Sequence, residues 1–160
     1  MVLKLIFLLS LSGLAFAQLL PVSVGIKAGY VNNRQTATEI WPFKAGPYVE
    51  LSLPFLPIFE TGVLFERYRA GSQTLTVYQV PVLVKKRFNA VAIKPFLSGG
   101  ATVRMIPSRD ERSTGVTVAA GVTVGLLPIK IEPEIRFTRW IQSGFTPKSQ
   151  QTEVLVGIRF

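Results

Sequence analysis

A chain of 160 residues has room for one domain. Eighteen Lys and Arg against nine Asp and Glu give a net charge of +9, which by sign alone points to nucleic acid or another anionic surface, yet 48% hydrophobic and only 17% charged residues make it more apolar than an average soluble domain. With no cysteine and no histidine, the chain has no disulfide framework, no Cys-based zinc site and no histidine-based catalysis.

The first element is a leader. MVLKLIFLLSLSGLAFA carries one early cation, Lys4, then an apolar run from Leu5 to Leu14, and ends in the small-x-small triplet Ala15-Phe16-Ala17. This is the pattern of a secretory signal, with Ala15 and Ala17 read by the peptidase and cleavage before Gln18. The run is short for a retained membrane helix, which needs about 20 apolar residues. Residues 1–17 are therefore expected to be a signal peptide and residues 18–160 the mature domain. Export removes the chain from the cytoplasm and excludes nucleic acid as a partner. Losing Lys4 leaves 17 bases against nine acids.

After the leader no stretch is long and apolar enough for a membrane helix. What recurs is alternation with period two, the signature of strands with unlike faces. Eight such segments are predicted at roughly 21–30, 45–53, 57–69, 74–88, 92–105, 115–126, 129–140 and 151–160. Their first, third, fifth and seventh connections are polar and mostly longer: VNNRQTATEIWPFK, AGSQ, IPSRDERST and IQSGFTPKSQQ. The second, fourth and sixth are tight, around Pro54, Asn89 and Leu127. Long and short connections in alternation suit an up-and-down barrel in an outer membrane, with short periplasmic turns and longer outer loops. Pro47, Pro81, Pro95 and Pro133 fall within these segments, and since each lacks a ladder donor, bulges are expected there.

One face of the segments is aliphatic: Val116, Val118, Val122 and Val124 in the sixth, Ile131, Ile135 and Phe137 in the seventh. The other face is rich in Gly, Ser and Thr and gathers charge: Glu50, Glu60, Glu66, Glu132, Glu134 and Glu153 with Lys27, Lys85, Lys94, Arg104, Arg136 and Arg159. Six against six suggests groups that pair with one another inside a narrow lumen. Small residues suit such an interior, where long charged side chains need the space. Aromatic residues gather near segment ends, with Tyr30, Trp41, Phe43, Tyr68 and Trp140 at one and Phe55, Phe59, Phe88 and Phe160 at the other, as in the two girdles of a membrane barrel. The alternative is a soluble periplasmic, lipocalin-like barrel with its apolar face inward around an apolar ligand.

The last segment, TEVLVGIRF, alternates apolar residues and ends on Phe160. It resembles the assembly signal of bacterial outer-membrane β-barrels, and with the leader and eight segments the mature chain is similar in plan to the small barrels of the outer-membrane protein A and protein X type. The resemblance implies an all-β, eight-stranded antiparallel transmembrane barrel in the outer membrane of a Gram-negative bacterium. It also implies that Val154, Val156, Ile158 and Phe160 are read by the barrel-assembly machinery during biogenesis.

Enzymes of this plan, namely the lipid A palmitoyltransferase and deacylase types and the omptin proteases, depend on a catalytic histidine that this chain lacks. Glu132 and Glu134 share a face but have bases within reach, so an ion-pair core is the better reading than a carboxylate pair for hydrolysis. Neither a catalytic site nor a cofactor or metal site is expected. Eight strands enclose a lumen that side chains nearly fill, which leaves a structural or surface-interaction role, or a narrow pore of low conductance. Seven further bases, Arg34, Lys44, Arg69, Arg109, Arg112, Arg139 and Lys148, are expected at the outer rim, facing the anionic headgroups of outer-membrane lipids or glycolipids.

Overall fold

The computed structural model describes residues 22–32, 41–70, 73–89, 93–126, 128–142 and 150–160. The expected leader, with Ala15 and Ala17, and Gln18 after it lie outside them, as do Arg34 and Lys148. Nine strand segments follow in chain order: β1 (Val22–Asn32), β2 (Trp41–Leu51), β3 (Ile58–Gly62), β4 (Leu64–Ala70), β5 (Gln73–Arg87), β6 (Ile93–Ile106), β7 (Glu111–Leu126), β8 (Ile129–Gln142) and β9 (Gln150–Arg159). β3 and β4 both pair with β2 on one side and β5 on the other, separated only by Val63, and so form one stave. Every pairing is antiparallel between chain neighbours, and β1 pairs with both β2 and β9. The sheet therefore closes on itself as an eight-stave up-and-down barrel.

Closure joins the two ends of the domain. Eight Cα pairs link β1 to β9, from Gly25↔Arg159 to Asn32↔Thr152. The Phe160 amide extends the seam by donating to the Val24 carbonyl at 3.0 Å. A sheet closed this way has no edge strand left to pair with another chain.

All four prolines are accommodated without the expected bulges. In an antiparallel ladder the N–H and C=O of one residue point to the same neighbour. The Pro47 carbonyl accepts from the Val63 amide at 3.0 Å, and the Pro81 carbonyl from the Thr61 hydroxyl at 2.9 Å. Both prolines thus turn their missing donor toward the break at Val63. Pro133 faces a lapse in the β7–β8 ladder between Gly121↔Glu134 and Val124↔Ile131, where the register is kept. Pro95 lies just past the last β5–β6 pair, Arg87↔Phe96, and its carbonyl takes the Phe88 amide at 2.8 Å. The true register shifts lie elsewhere, between Trp41 and Lys44 in β2 and between Thr114 and Gly115 in β7.

The connections are less asymmetric than the sequence suggests. At the upper rim, β4 and β5 are separated by residues 71–72 alone, and β6 passes to β7 through a single 3-10 turn, Pro107–Arg109, and Asp110 in the left-handed region at φ 50°. Ala70 and Gln73 of AGSQ and Ile106 and residues 111–114 of IPSRDERST thus belong to strands. Only the gaps 33–40 and 143–149 are longer than the lower turns.

Polarity is inverted relative to a soluble domain. The large buried side chains include Arg136, Lys27, Lys44 and Lys85, whereas Ile26, Val82, Leu97, Val118, Ile135, Val154 and Val156 stand exposed on the outer wall. A lipocalin-like barrel would have the opposite phase, so the fold contradicts that alternative.

Candidate functional site

The interior is built by strands whose inward positions alternate with the aliphatic wall, so each charged side chain enters the lumen from a stave that is apolar outside. Three tiers of charge result. At the lower end Arg87 reaches Glu50 at 3.0 Å and Glu132 at 2.8 Å, Arg159 pairs with Glu50 and lies 3.2 Å from Glu132, and the Thr123 hydroxyl donates to Glu132 at 2.9 Å. In the middle tier Glu60 receives Lys27, Lys85 and, at 3.3 Å, Arg136, while Glu134 takes Arg136 at 2.6 Å and Lys27 at 3.1 Å. Lys85 joins the two tiers through Glu50 and Glu132.

The upper tier centres on Lys44, which pairs with Glu153 and lies 3.6 Å from Glu66. Gln79 accepts from Lys44 at 2.8 Å and donates to Glu66 at 3.0 Å. The Trp140 indole donates to Gln151 at 3.2 Å, and Gln151 donates to Glu153 at 2.8 Å. Arg104 stacks over the Trp140 ring at 4.2 Å, a cation–π contact out of water. A hydroxyl chain runs along the β6–β8 wall, Thr102 to Thr117 at 2.6 Å and Thr117 to Thr138 at 2.9 Å.

Glycines make room for a bulky aromatic member of this interior, Tyr48. A Cβ on Gly62 would stand 2.9 Å from the Tyr48 Cβ, and one on Gly25 would meet the Tyr48 ring and the Ile158 carbonyl together. Tyr48 thus lies in space that only glycine leaves, with the Lys27 ammonium 4.6 Å above its ring.

Of the twelve residues expected in the lumen, eleven are buried there: Lys27, Glu50, Glu60, Glu66, Lys85, Arg104, Glu132, Glu134, Arg136, Glu153 and Arg159. Lys94 is not. It has the inward phase but lies one residue from the start of β6, exposed at the lower mouth. Lys44, expected at the outer rim, is instead 1% exposed in the upper tier, because β2 begins at Trp41 rather than in the mid-forties. Arg87 belongs to the network and was missed, although its inward phase, two residues beyond Lys85, was available as a signal. The interior therefore holds six carboxylates against seven cations, counting Lys44 and Arg87 in and Lys94 out.

The rim residues divide. Arg112 and Arg139 are exposed on the outer wall near the upper ends of β7 and β8, and Arg67 on β4, across the barrel from them, is exposed in the same outward phase though not anticipated. The side chains of Arg69 and Arg109 lie outside the described residues. Trp140 points into the lumen and so leaves the upper girdle, where Tyr30 and Phe43 meet edge to face at 6.0 Å. The lower girdle of Phe55, Phe59, Phe88 and Phe160 is exposed as expected. Val154, Val156, Ile158 and Phe160 share the outer face of the closing seam.

No protein-family model matches the chain, and no curated protein sequence matches it. Solved structures do. The chain is similar to Neisserial surface protein A, with 17% identity and a TM-score of 0.59 over 86% of this chain and 94% of that one. It is similar to the outer membrane enzyme PagL, with 10% identity and a TM-score of 0.52 over 86% and 98%. The N-terminal β-barrel domain of Pseudomonas aeruginosa OprF matches with 15% identity and a TM-score of 0.50 over 86% and 97%. The described chain thus has the closed, eight-stranded antiparallel barrel fold that these outer-membrane proteins share.

Proposed function

We propose that the protein is an integral outer-membrane β-barrel with a structural or surface-interaction role, exported by its leader and assembled through its last strand. The observation that carries this reading is the inverted polarity: the charged side chains are paired in the interior, and the wall around them is aliphatic. In water such a wall would be an uncovered apolar surface far larger than a soluble monomer tolerates, whereas hydrocarbon covers it without cost. No stave offers the bilayer an unpaired ladder edge, since the sheet is closed.

The same interior supports a plug rather than a conduit and a non-enzymatic role rather than catalysis. Its six carboxylates all have cations within ion-pair distance, and the chain has no histidine to serve as base. At the upper rim Arg67, Arg112 and Arg139 form an outward-facing basic collar suited to anionic lipid headgroups, while Val154, Val156, Ile158 and Phe160 present the outward motif that an assembly machinery would read.

The test is fractionation of cells expressing the full chain. After alkaline and high-salt washing the mature protein should stay with the outer-membrane pellet and keep a folded, heat-modifiable mobility on gels. Release into the wash as a soluble protein would overturn the reading.

A further inference from the structure

On the outer wall, β2, β4 and β5 leave a groove of about 830 Å³ onto which Phe43, Phe65, Arg67, Thr74, Thr76 and Tyr78 face; Ala45 also lines it, as do Lys44 and Glu66, whose side chains are buried and paired with one another in the lumen. That volume falls within the roughly 300–1,000 Å³ typical of ligand clefts. The wall is irregular here because the β2–β4 register shifts between Trp41 and Lys44. Such shifts re-aim side chains and recur beside functional sites. Phe43 lies inside the shifted stretch, and Phe65 meets Tyr78 edge to face at 5.2 Å and 74°.

The groove is graded along the barrel axis. Thr74, Thr76 and Arg67 lie nearest the upper ends of β5 and β4, and Phe65 and Tyr78, cross-strand partners, lie below them. Polar groups and one cation at the rim, with aromatic edges beneath, reproduce the polarity of a lipid standing headgroup-up in the outer leaflet. Charge complementarity fixes the sign of that headgroup. Arg67 is exposed, and the described strands place no carboxylate on the outer wall: six point inward, Asp110 sits in the turn and Glu111 has the inward phase.

We propose that this groove is a docking site for one phosphate-bearing membrane lipid, its headgroup on Arg67, Thr74 and Thr76 and its upper acyl chain against Phe65 and Tyr78. The site rests on the membrane reading above, since only a chain embedded in a bilayer brings this wall to lipid. Arginine suits the task because its planar fork meets two phosphate oxygens at once.

The test uses the folded full-length protein in a neutral maltoside detergent, titrated with phosphatidic acid and, separately, with phosphatidylcholine, with bound lipid counted by native mass spectrometry. The wild type should prefer phosphatidic acid, and raising salt should weaken that preference. Arg67→Gln should weaken phosphatidic acid binding about fivefold, Tyr78→Ala should weaken both lipids, and Lys86→Gln, an exposed cation near the lower rim, should change nothing. An Arg67→Gln variant that binds like wild type, an equal loss in Lys86→Gln, or a salt-insensitive preference in the wild type would each overturn the site. Membrane retention without an Arg67-dependent preference sinks the groove alone, whereas loss of membrane retention sinks the membrane reading and the groove with it.

Discussion

At the scale of single residues, Glu60 carries more of the interior than any pairing rule on the sequence suggests. Its carboxylate receives Lys27, Lys85 and Arg136, cations brought from β1, β5 and β8. Removing one partner of a buried ion pair leaves the others desolvated and uncompensated, at a cost of about 3–5 kcal/mol. Glu60→Ala is therefore expected to lower the unfolding free energy of the barrel by that order, read as a lower urea midpoint by gel mobility or tryptophan fluorescence. Glu134 still holds Lys27 and Arg136, and Glu50 still holds Lys85, so planar-bilayer recordings of the same variant should show no stable nanosiemens channel. A large steady conductance would mean that the ion pairs were the only obstruction. Gly25 is a second sensitive position. Its missing Cβ makes room for Tyr48 against the Ile158 carbonyl, and since backbone cannot give way as a side-chain tip can, Gly25→Ala should cost about 1–3 kcal/mol by overpacking. The same denaturant titration checks it.

At the scale of elements, alternation made the phase of every strand legible and left its height along the barrel unreadable. Period two sets which side a residue faces, because one slip exchanges the two faces; it carries no mark of where a strand starts. Lys94 has the inward phase yet stands at the mouth, and Lys44, in a polar stretch that points to a loop, lies in the lumen because β2 begins at Trp41 rather than at residue 45. The inward phase of Arg87 is legible from Lys85, two residues before it. The rim stretch IPSRDERST looks like a loop because its residues are polar, but both sides of an upper rim are polar once a strand rises past the apolar band, so Glu111 and Arg112 continue β7. Phe160 belongs at this scale too. It adds one backbone bond to the β1–β9 seam and exposes 65% of its surface outward, so its removal costs the finished barrel little contact. Deletion of Phe160 is expected to leave leader processing intact and to slow membrane insertion, seen as protease-sensitive periplasmic chain in a pulse–chase experiment. Insertion at the wild-type rate would remove the case for an assembly signal.

At the scale of the whole molecule, the barrel has exchanged the usual places of its solvent and its core. The contacts inside combine buried apolar side chains such as Leu64, Leu83, Phe96 and Leu155 with ion pairs and hydrogen bonds, each of which needs its partner, whereas on the proposed membrane reading the outer wall needs only to be apolar where hydrocarbon would touch it. Tolerance to charge on that wall should then depend on height and on little else. Val118 lies near the middle of β7, pairs with Gly99 and Phe137, and is 53% exposed, so an arginine there could be accommodated sterically by the fold in water. In a bilayer the same arginine sits near the midplane, where it costs about 2–4 kcal/mol, falling to about 0–1 kcal/mol near the interfaces. Ser108, exposed in the turn between β6 and β7, lies beyond the apolar band. Val118→Arg should therefore lower the folding free energy in phospholipid vesicles by that larger amount, while Ser108→Arg leaves it within error. The two variants differ in height and hardly in exposure, so equal tolerance in reversible folding titrations would mean that no hydrocarbon surrounds this wall.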